Sequence, residues 1–387
     1  MNFSGGRGLM KKKIVQPTLF EDCNCEIETP IKDLKHRKSR YSNLMKEIET
    51  SYDNIYEVDT SNLSFSNTKY NYVDLFAGCG GLSLGIKQAG FNKLVDVEIL
   101  DHAMDTLKYN FPESHHYFGD IKDFNPKEYT NGNDVHLVVG GPPCQGFSVA
   151  GKRNPKDIRN QLFREYQRVV EELNPYFFIL ENVPGILTLD NSNFYKEIVE
   201  GFKELGYEVS VRILEVADYG VPQLRTRAIF IGNRFGLRNP YPKKQLNPEH
   251  YKSIDESISD LEDKQMDSSI NHVWTKHSKK FEERIAQVGP GESLYETFAD
   301  AYKRQRVGHP SMTIKENHGG THLHYSLNRC ISAREMARLQ TFPDEFIFQG
   351  THKQAFIQVG NAVPVLLAKN VGLAVMKAIQ DYEKNGK

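Results

Sequence analysis

Residues 72–85 read Tyr72-Val73-Asp74-Leu75-Phe76-Ala77-Gly78-Cys79-Gly80-Gly81-Leu82-Ser83-Leu84-Gly85. A short apolar run opens the stretch, a glycine-rich turn follows, and Leu82 begins a segment with helical spacing. A strand that passes through glycines into a helix lets a ligand approach the backbone at the carboxyl edge of a parallel sheet. The spacing is not that of a dinucleotide fingerprint. Counted from Gly78, Ser83 stands where G-x-G-x-x-G requires its third glycine.

Outward from this segment the same alternation continues. Strands are expected at Tyr72–Phe76, Leu94–Ile99, Val135–Val139, Tyr176–Leu180, Val209–Leu214 and Ala228–Ile231. Helices are expected between them, at Leu82–Ala89, Ala103–Asn110, Leu162–Leu173 and Phe194–Leu205. Strands alternating with helices predict an α/β fold with a mainly parallel, doubly wound sheet covered on both faces. After Gly232 the alternation stops, and residues 233–328 are polar and irregular. Helical patterns return at Ser332–Gln340 and Val363–Ile379, and the last helix is expected to pack back on the sheet. The chain thus divides into an extension (1–69), a catalytic and cofactor-binding domain (70–235), a smaller irregular domain (236–344) and a returning helical segment (345–387).

Residues 1–69 carry basic clusters at Lys11–Lys13 and Lys35–Arg40, and a helix is expected within Ile31–Ile55. A solvated extension is the plain reading, and an arm along a nucleic-acid backbone the sharper one. Cys23 and Cys25 have no second Cys/His pair at suitable spacing, so a metal site is rejected. Five cysteines scattered through 387 residues are no disulfide framework, and a reducing cytoplasm is the expected location. No run of about 18 apolar residues predicts a membrane span. The net charge of −1 gives no hint of a polyanionic partner, so any nucleic acid must meet basic residues gathered on one face.

Glu98 ends the second strand, where a carboxylate can accept ribose hydroxyls. Asp120 follows a third element, where it can accept from an adenine amino group. Ribose and adenine without a phosphate fingerprint favour a nucleoside cofactor. A second segment, Gly140-Gly141-Pro142-Pro143-Cys144-Gln145-Gly146-Phe147-Ser148, places a cysteine on a proline-fixed loop directly after a strand. A structural cysteine belongs inside an apolar run; this one stands where strands deliver reactive groups. Glu181-Asn182-Val183-Pro184-Gly185 brings a carboxyl group to the same edge. In Gln223-Leu224-Arg225-Thr226-Arg227, strand alternation puts Gln223 and both arginines on one face. Gln358-Val359-Gly360-Asn361-Ala362-Val363-Pro364 opens the last helix.

From Tyr70 to the C-terminus, these segments and their order resemble the cytosine-5 DNA methyltransferases. Also matched are Asp157-Ile158-Arg159-Asn160-Gln161-Leu162-Phe163 and the stretch from Arg334-Glu335 to Gln340-Thr341-Phe342-Pro343. The resemblance implies a Rossmann-like fold that uses S-adenosylmethionine, releases S-adenosylhomocysteine and needs no metal. It implies methylation of carbon 5 of a flipped cytosine in a specific double-stranded DNA sequence. The expected setting is bacterial restriction–modification, with a cognate endonuclease acting at the same site and a monomeric enzyme. The residues suit this chemistry. Cysteine is the best side chain for adding to C6 of a pyrimidine, so Cys144 is the expected nucleophile. Glu181 fits as the acid toward N3. By resemblance Arg227 holds the cytosine O2, and Arg225 lies beside it, supporting the loop or the thiolate.

By the same resemblance Phe76, Gly78, Glu98, Asp120, Pro143, Leu162 and Asn361 line the cofactor pocket, with Ala77, Cys79, Gly80, Gly81 and Ile121 beside them. Ile99 takes the adenine-facing place where many relatives carry an aromatic, and Ala362 stands where some have serine. The loop from Gly146 to about Asn160, with Gln145 before it, carries Ser148, Lys152, Arg153 and Arg159 and suits a lid over the extruded base. Target recognition is expected in the irregular domain, where Lys243, Lys244, Lys276, Lys279, Lys280, Arg284, Lys303, Arg304 and Arg306 can meet phosphates. Arg334 resembles the family's structural arginine that supports this domain. His318, His322 and His324 lack a matching second ligand set, so no metal is expected there. An RNA methyltransferase and an inactive DNA-binding relative are the competing readings. The first is disfavoured because the Cys-Phe-Thr segment of tRNA-acting relatives is absent, the second because Cys144, Glu181, Arg225 and Arg227 are all present.

Overall fold

The computed structural model describes residues 54–66, 68–143, 158–296, 301–316 and 322–385, with the backbone alone at 158–160, 190 and 191. In chain order the first elements are β1 (Ile55–Val58), β2 (Asn71–Leu75), α1 (Gly81–Gln88), β3 (Asn92–Glu98), α2 (Asp101–Asn110), β4 (His115–Phe118), α3 (Pro126–Thr130) and β5 (Leu137–Gly140). Then come α4 (Ile158–Leu173), β6 (Phe177–Asn182), α5 (Asn193–Glu204), β7 (Glu208–Glu215), β8 (Thr226–Asn233) and β9 (Asn239–Pro242). Five of these, β2 to β6, pair in parallel. With β8 and β7 they form a sheet of order β4-β3-β2-β5-β6-β8-β7, in which β8 is antiparallel to both neighbours.

From β2 the chain first moves outward to β3 and β4, then returns on the other side as β5. The order therefore reverses between β2 and β5, and the crevice beyond their carboxyl ends is where open α/β sheets bind ligands. Both faces of the sheet are covered. On one, Tyr72, Leu137, Val139, Ile179 and Ile231 meet Ile86 of α1 and Leu367, Val371 and Ile379 of a C-terminal helix. On the other, Val73, Val138, Phe178 and Phe230 meet Tyr166 and Val170 of α4 and Ile198 and Phe202 of α5. Central strands buried on both faces read as continuous apolar runs, which is why the sequence announces them so clearly.

The remaining elements are α6 (Ile254–Ile258), α7 (Lys279–Ile285), β10 (Lys303–Arg304), β11 (His322–Leu323), α8 (Ala333–Leu339), α9 (His352–Asn361) and α10 (Val365–Asn385). The segment 352–385 is apolar enough to cross a membrane by hydropathy, yet 83% of its most apolar window is buried inside the protein. That apolarity is spent on the core, as expected for the last helix.

Between β9 and α8 there is little regular structure, and buried cations organise the chain instead. Arg304 donates to the carbonyls of Ile285, Val288, His324 and Leu327 at 2.7–3.0 Å and to Asn328 Oδ1 at 3.1 Å. Arg304, expected among the phosphate-facing residues, is therefore part of the interior; Lys276, Lys279, Lys280, Arg284 and Arg306 are exposed. Arg334 is fully buried and donates to the carbonyls of Ile270, Pro343 and Phe346. His322 and His324 are buried, and burial pushes His324 down to about 4, which keeps it neutral. Among the described residues no cluster of three or more His, Cys, Asp or Glu side chains is positioned to hold a metal.

One strand pair is unexpected. β1 lies parallel to β9, Ile55 and Val58 are buried, and Arg212 pairs with Glu57 at 3.0 Å. The last part of the 1–69 extension is thus built onto the large unit, and Ile55, placed at the end of an expected helix, opens a strand. Residues 31–53, the bulk of the stretch in which a helix is expected, lie outside the described residues.

Behind the glycine turn lies a buried polar layer. Asp74 and Asp96 are register partners on β2 and β3; Ser83 donates to Asp74 at 2.6 Å, and Lys93 pairs with Asp96 at 2.5 Å. Burial is the main force that pushes Asp74 up to about 7, against the pull of Ser83 and Lys93. In the unfolded chain the same carboxyl titrates near 4. Between those values the folded state holds a proton that the unfolded state has released, so the contribution of Asp74 to stability falls as pH rises from about 4 to about 7. Denaturant unfolding across that window is expected to show a smaller loss, or a larger gain, of stability with rising pH for Asp74→Asn than for wild type. Identical slopes would exclude Asp74 as the titrating group.

Candidate active site and cofactor crevice

Past Leu75, Phe76 adopts φ +57°, an unfavourable left-handed conformation for a side chain with a Cβ and one that concentrates at functional sites. Gly78 follows at φ +56°, with open space where a Cβ would project. The Gly78 amide donates to Glu98 Oε2 at 2.7 Å, and the amides of Ile99 and Leu100 donate to Glu98 Oε1 at 2.8 Å. These bonds fix the carboxylate at the end of β3. Burial raises its pKa while the three amides pull it back. Ile99 is 60% exposed beside it, an apolar surface at the mouth of the crevice. Asp120 is half-exposed after β4 and caps the Lys122 amide at 3.1 Å, and Ile121 is buried behind it. Pro143 is exposed after β5, Leu162 half-buried on α4, and Asn361 exposed at the end of α9 with Ala362 buried next to it. The sheet topology thus delivers the turns after β2, β3, β4 and β5 to one edge.

Cys79 and Gly81 also pack the turn against the C-terminal helices. The Cys79 thiol turns toward α9, donating to the Gln358 carbonyl at 3.4 Å, and burial pushes it up to about 12. Only its backbone belongs to the turn. A Cβ on Gly81 would lie 2.4 Å from the Val363 carbonyl, so this glycine lets α1 seat against the α9–α10 corner. Gly81→Ala is expected to destabilise the fold by about 1–3 kcal/mol through forced separation of these elements, read as a lowered urea midpoint. An unchanged midpoint would mean that the corner yields freely.

At the other side of the crevice, Glu181 lies near the end of β6 and Arg227 near the start of the antiparallel β8. The register Asn182↔Ala228 sets them side by side, and Arg227 Nε meets Glu181 Oε1 at 2.6 Å. Both side chains are largely buried, at 11–12% exposure. Burial lowers the Arg227 pKa, and Glu181 opposes that shift. A Cβ on Gly141 would stand 3.1 Å from Glu181 Oε2, so the loop leaving β5 passes directly over this carboxylate. Asn182 holds that loop: its Nδ2 donates to the Pro142 carbonyl at 2.8 Å, and its Oδ1 accepts from the Val183 amide at 2.9 Å. In the sequence, only its place directly after Glu181 marks Asn182 for this task.

Arg225 feels the charges of both Arg227 and Glu181, but its hydrogen-bond partners are different. Its guanidinium donates to the carbonyls of Ile314 at 2.5 Å and Ala362 at 3.2 Å, and its amide donates to Glu215. These bonds tie separate stretches of backbone together. Cys144, Gln145, Ser148, Lys152 and Arg153 lie outside the described residues, as does the side chain of Arg159.

Comparison with known proteins fits this arrangement. A family model for C-5 cytosine-specific DNA methylase matches residues 70–377. The chain is 39% identical to the Type II methyltransferase M1.HphI of Haemophilus parahaemolyticus, over 79% of this chain and 86% of that protein. It is 35% identical to the Type II methyltransferase M.DdeI of Desulfomicrobium norvegicum, over 81% and 89%. A solved DNA modification methyltransferase encoded within an E. coli prophage superposes with a TM-score of 0.68 at 28% identity, covering 80% of this chain and 99% of its own. With a sheet whose reversed strand order opens one crevice, and with that match from Tyr70 through Lys377, the chain belongs to the C-5 cytosine-specific DNA methylase family and is a DNA cytosine methyltransferase.

Proposed function

We propose that the protein methylates carbon 5 of a cytosine rotated out of a specific double-stranded DNA sequence, as the modification partner of a restriction endonuclease. The observation that carries this reading is the Glu181–Arg227 pair, buried at the sheet edge directly beneath the loop that leads to Cys144. The relatives' description as Type II methyltransferases supports the restriction–modification setting. The stretch between β9 and α8, with exposed Lys276, Lys279, Lys280, Arg284 and Arg306, is assigned to DNA contact and target recognition.

The crevice residues fit a nucleoside cofactor. Glu98 is a fixed carboxylate for ribose hydroxyls, exposed Ile99 offers an apolar face for adenine, and the space before Gly78 is open. Phe76, Asp120, Ile121, Pro143, Leu162, Asn361 and Ala362 would complete the pocket, with the backbone of Ala77, Cys79, Gly80 and Gly81. S-adenosylmethionine supplies an electrophilic methyl group when bound there. The chain's own residues prepare the cytosine. The Cys144 thiolate adds to C6, which makes C5 enamine-like and nucleophilic. Glu181 hydrogen-bonds or protonates N3, drawing the electrons of the addition into the ring. Arg227, held by Glu181, faces the base at O2. After methyl transfer a base, water in this reading, removes the C5 proton and the thiolate leaves, restoring aromaticity.

Incubation with S-adenosylmethionine and duplex DNA containing 5-fluorocytosine at the target is expected to trap a denaturation-resistant protein–DNA adduct, because once C5 is methylated its fluorine cannot leave as a proton does. Bisulfite sequencing of plasmid DNA from expressing cells locates that target. Methylation of tRNA in preference to duplex DNA would defeat the reading.

A further inference from the structure

Beyond the cofactor and base-binding residues, the interior holds a polar knot that the chemistry does not use. Gln223 is fully buried, and its Nε2 donates to the Leu339 carbonyl at 2.9 Å and to Gln340 Oε1 at 2.6 Å. Its Oε1 accepts from the Ile314 amide at 2.9 Å. Gln340, also fully buried, donates from Nε2 to the carbonyls of Val359 at 2.9 Å and Ala362 at 3.2 Å. Arg225 closes the ring by donating to both Ile314 and Ala362.

These bonds join segments that meet different ligands. The segment 311–316 comes from the irregular unit and begins four residues after the exposed Val307. It is laced to residues 222–224: Leu224 N donates to the Ser311 carbonyl at 2.8 Å, and Ser311 N to the Pro222 carbonyl at 2.9 Å. Its far end touches the α9–α10 corner so closely that a Cβ on Gly360 would lie 2.4 Å from the Glu316 amide nitrogen. Residues 222–225 run on to Arg227, and the corner carries Asn361.

We propose that Gln223 and Gln340 are positioning residues that couple DNA engagement by the irregular unit to the cofactor corner at Asn361–Ala362. The inference rests on the function proposed above. Simple packing at these positions is met by apolar side chains. Neutral amides with both ends bonded instead fix register, since shifting either segment strands a buried donor or acceptor. Segment 311–316 and the corner therefore move together or not at all. A ligand that orders one end favours the bonded arrangement at the other, and the effect is reciprocal.

The test is the affinity for S-adenosylhomocysteine, measured by calorimetry with and without a duplex carrying the mapped target. The wild type is expected to bind the cofactor product more tightly with DNA present, by roughly tenfold as is usual for coupled sites. In Gln223→Met and Gln340→Met that ratio is expected to fall toward one, with the affinity measured without DNA changed much less. A variant that loses thermal stability but keeps the wild-type ratio would show a merely structural role and overturn the proposal. If neither variant folds, hydrogen exchange on the wild type decides. S-adenosylhomocysteine alone should slow exchange in residues 305–316, and unchanged exchange there refutes the coupling. Failure of S-adenosylhomocysteine to bind the wild type at all would instead refute the proposed function itself.

Discussion

Cys144→Ala is expected to lower methyl transfer to DNA by at least about four orders of magnitude while folding and cofactor affinity stay close to wild type. The loop before residue 144 gives the reason. It leaves β5 at Gly140, crosses Glu181 at Gly141, is pinned through the Pro142 carbonyl by Asn182, and emerges exposed at Pro143. The next side chain is the thiol. Neither cysteine among the described residues can replace it. Cys79 and Cys330 are both buried, and burial pushes each up to about 12, so neither is a thiolate at neutral pH. The prediction is checked by methyl incorporation into target DNA, with S-adenosylhomocysteine binding as the folding control. Turnover within tenfold of wild type would remove Cys144 from the mechanism.

The same loop shows how far the sequence carries. Strands buried on both faces, such as β5 and β6, are continuous apolar runs, and glycine turns mark their carboxyl ends. The sheet and the edge where ligands gather were therefore legible. The β1–β9 pair was not. Pro240 and Pro242 interrupt β9 with residues that lack an amide donor, and sequence reasoning properly demotes such a run. It survives because it pairs on one side only and rests on α10 and the outer strands. Strand alternation put Gln223, Arg225 and Arg227 on one face, but could not say what each would meet. Arg227 meets a carboxylate across β6, whereas Arg225 and Gln223 meet carbonyls and amides contributed by residues about 90–140 positions away. Such partners are set by tertiary packing and leave no local signature.

Arg227→Met separates structure from chemistry at the pair that the proposed mechanism needs. Removing the guanidinium leaves Glu181 buried without its 2.6 Å partner, and breaking a buried pair in this way costs about 3–5 kcal/mol. An unfolding free energy lowered by that amount in urea titrations is expected, together with a loss of methyl transfer of roughly 10²–10⁴-fold, the range usual for one positioned catalytic group. The loss of activity alone is ambiguous, since an unstable enzyme also works poorly. Adding Glu181→Gln removes the stranded carboxylate. The remaining amide can still hydrogen-bond at the edge of β6, so the double variant is expected to regain most of the lost stability. It should regain no activity, because neither the acid toward N3 nor the donor toward O2 has returned. A pair that only braces β6 against β8 predicts the opposite, with stability and turnover recovering together. Unfolding and methyl-transfer measurements on the two variants therefore decide whether this ion pair acts on the base or only holds the sheet edge.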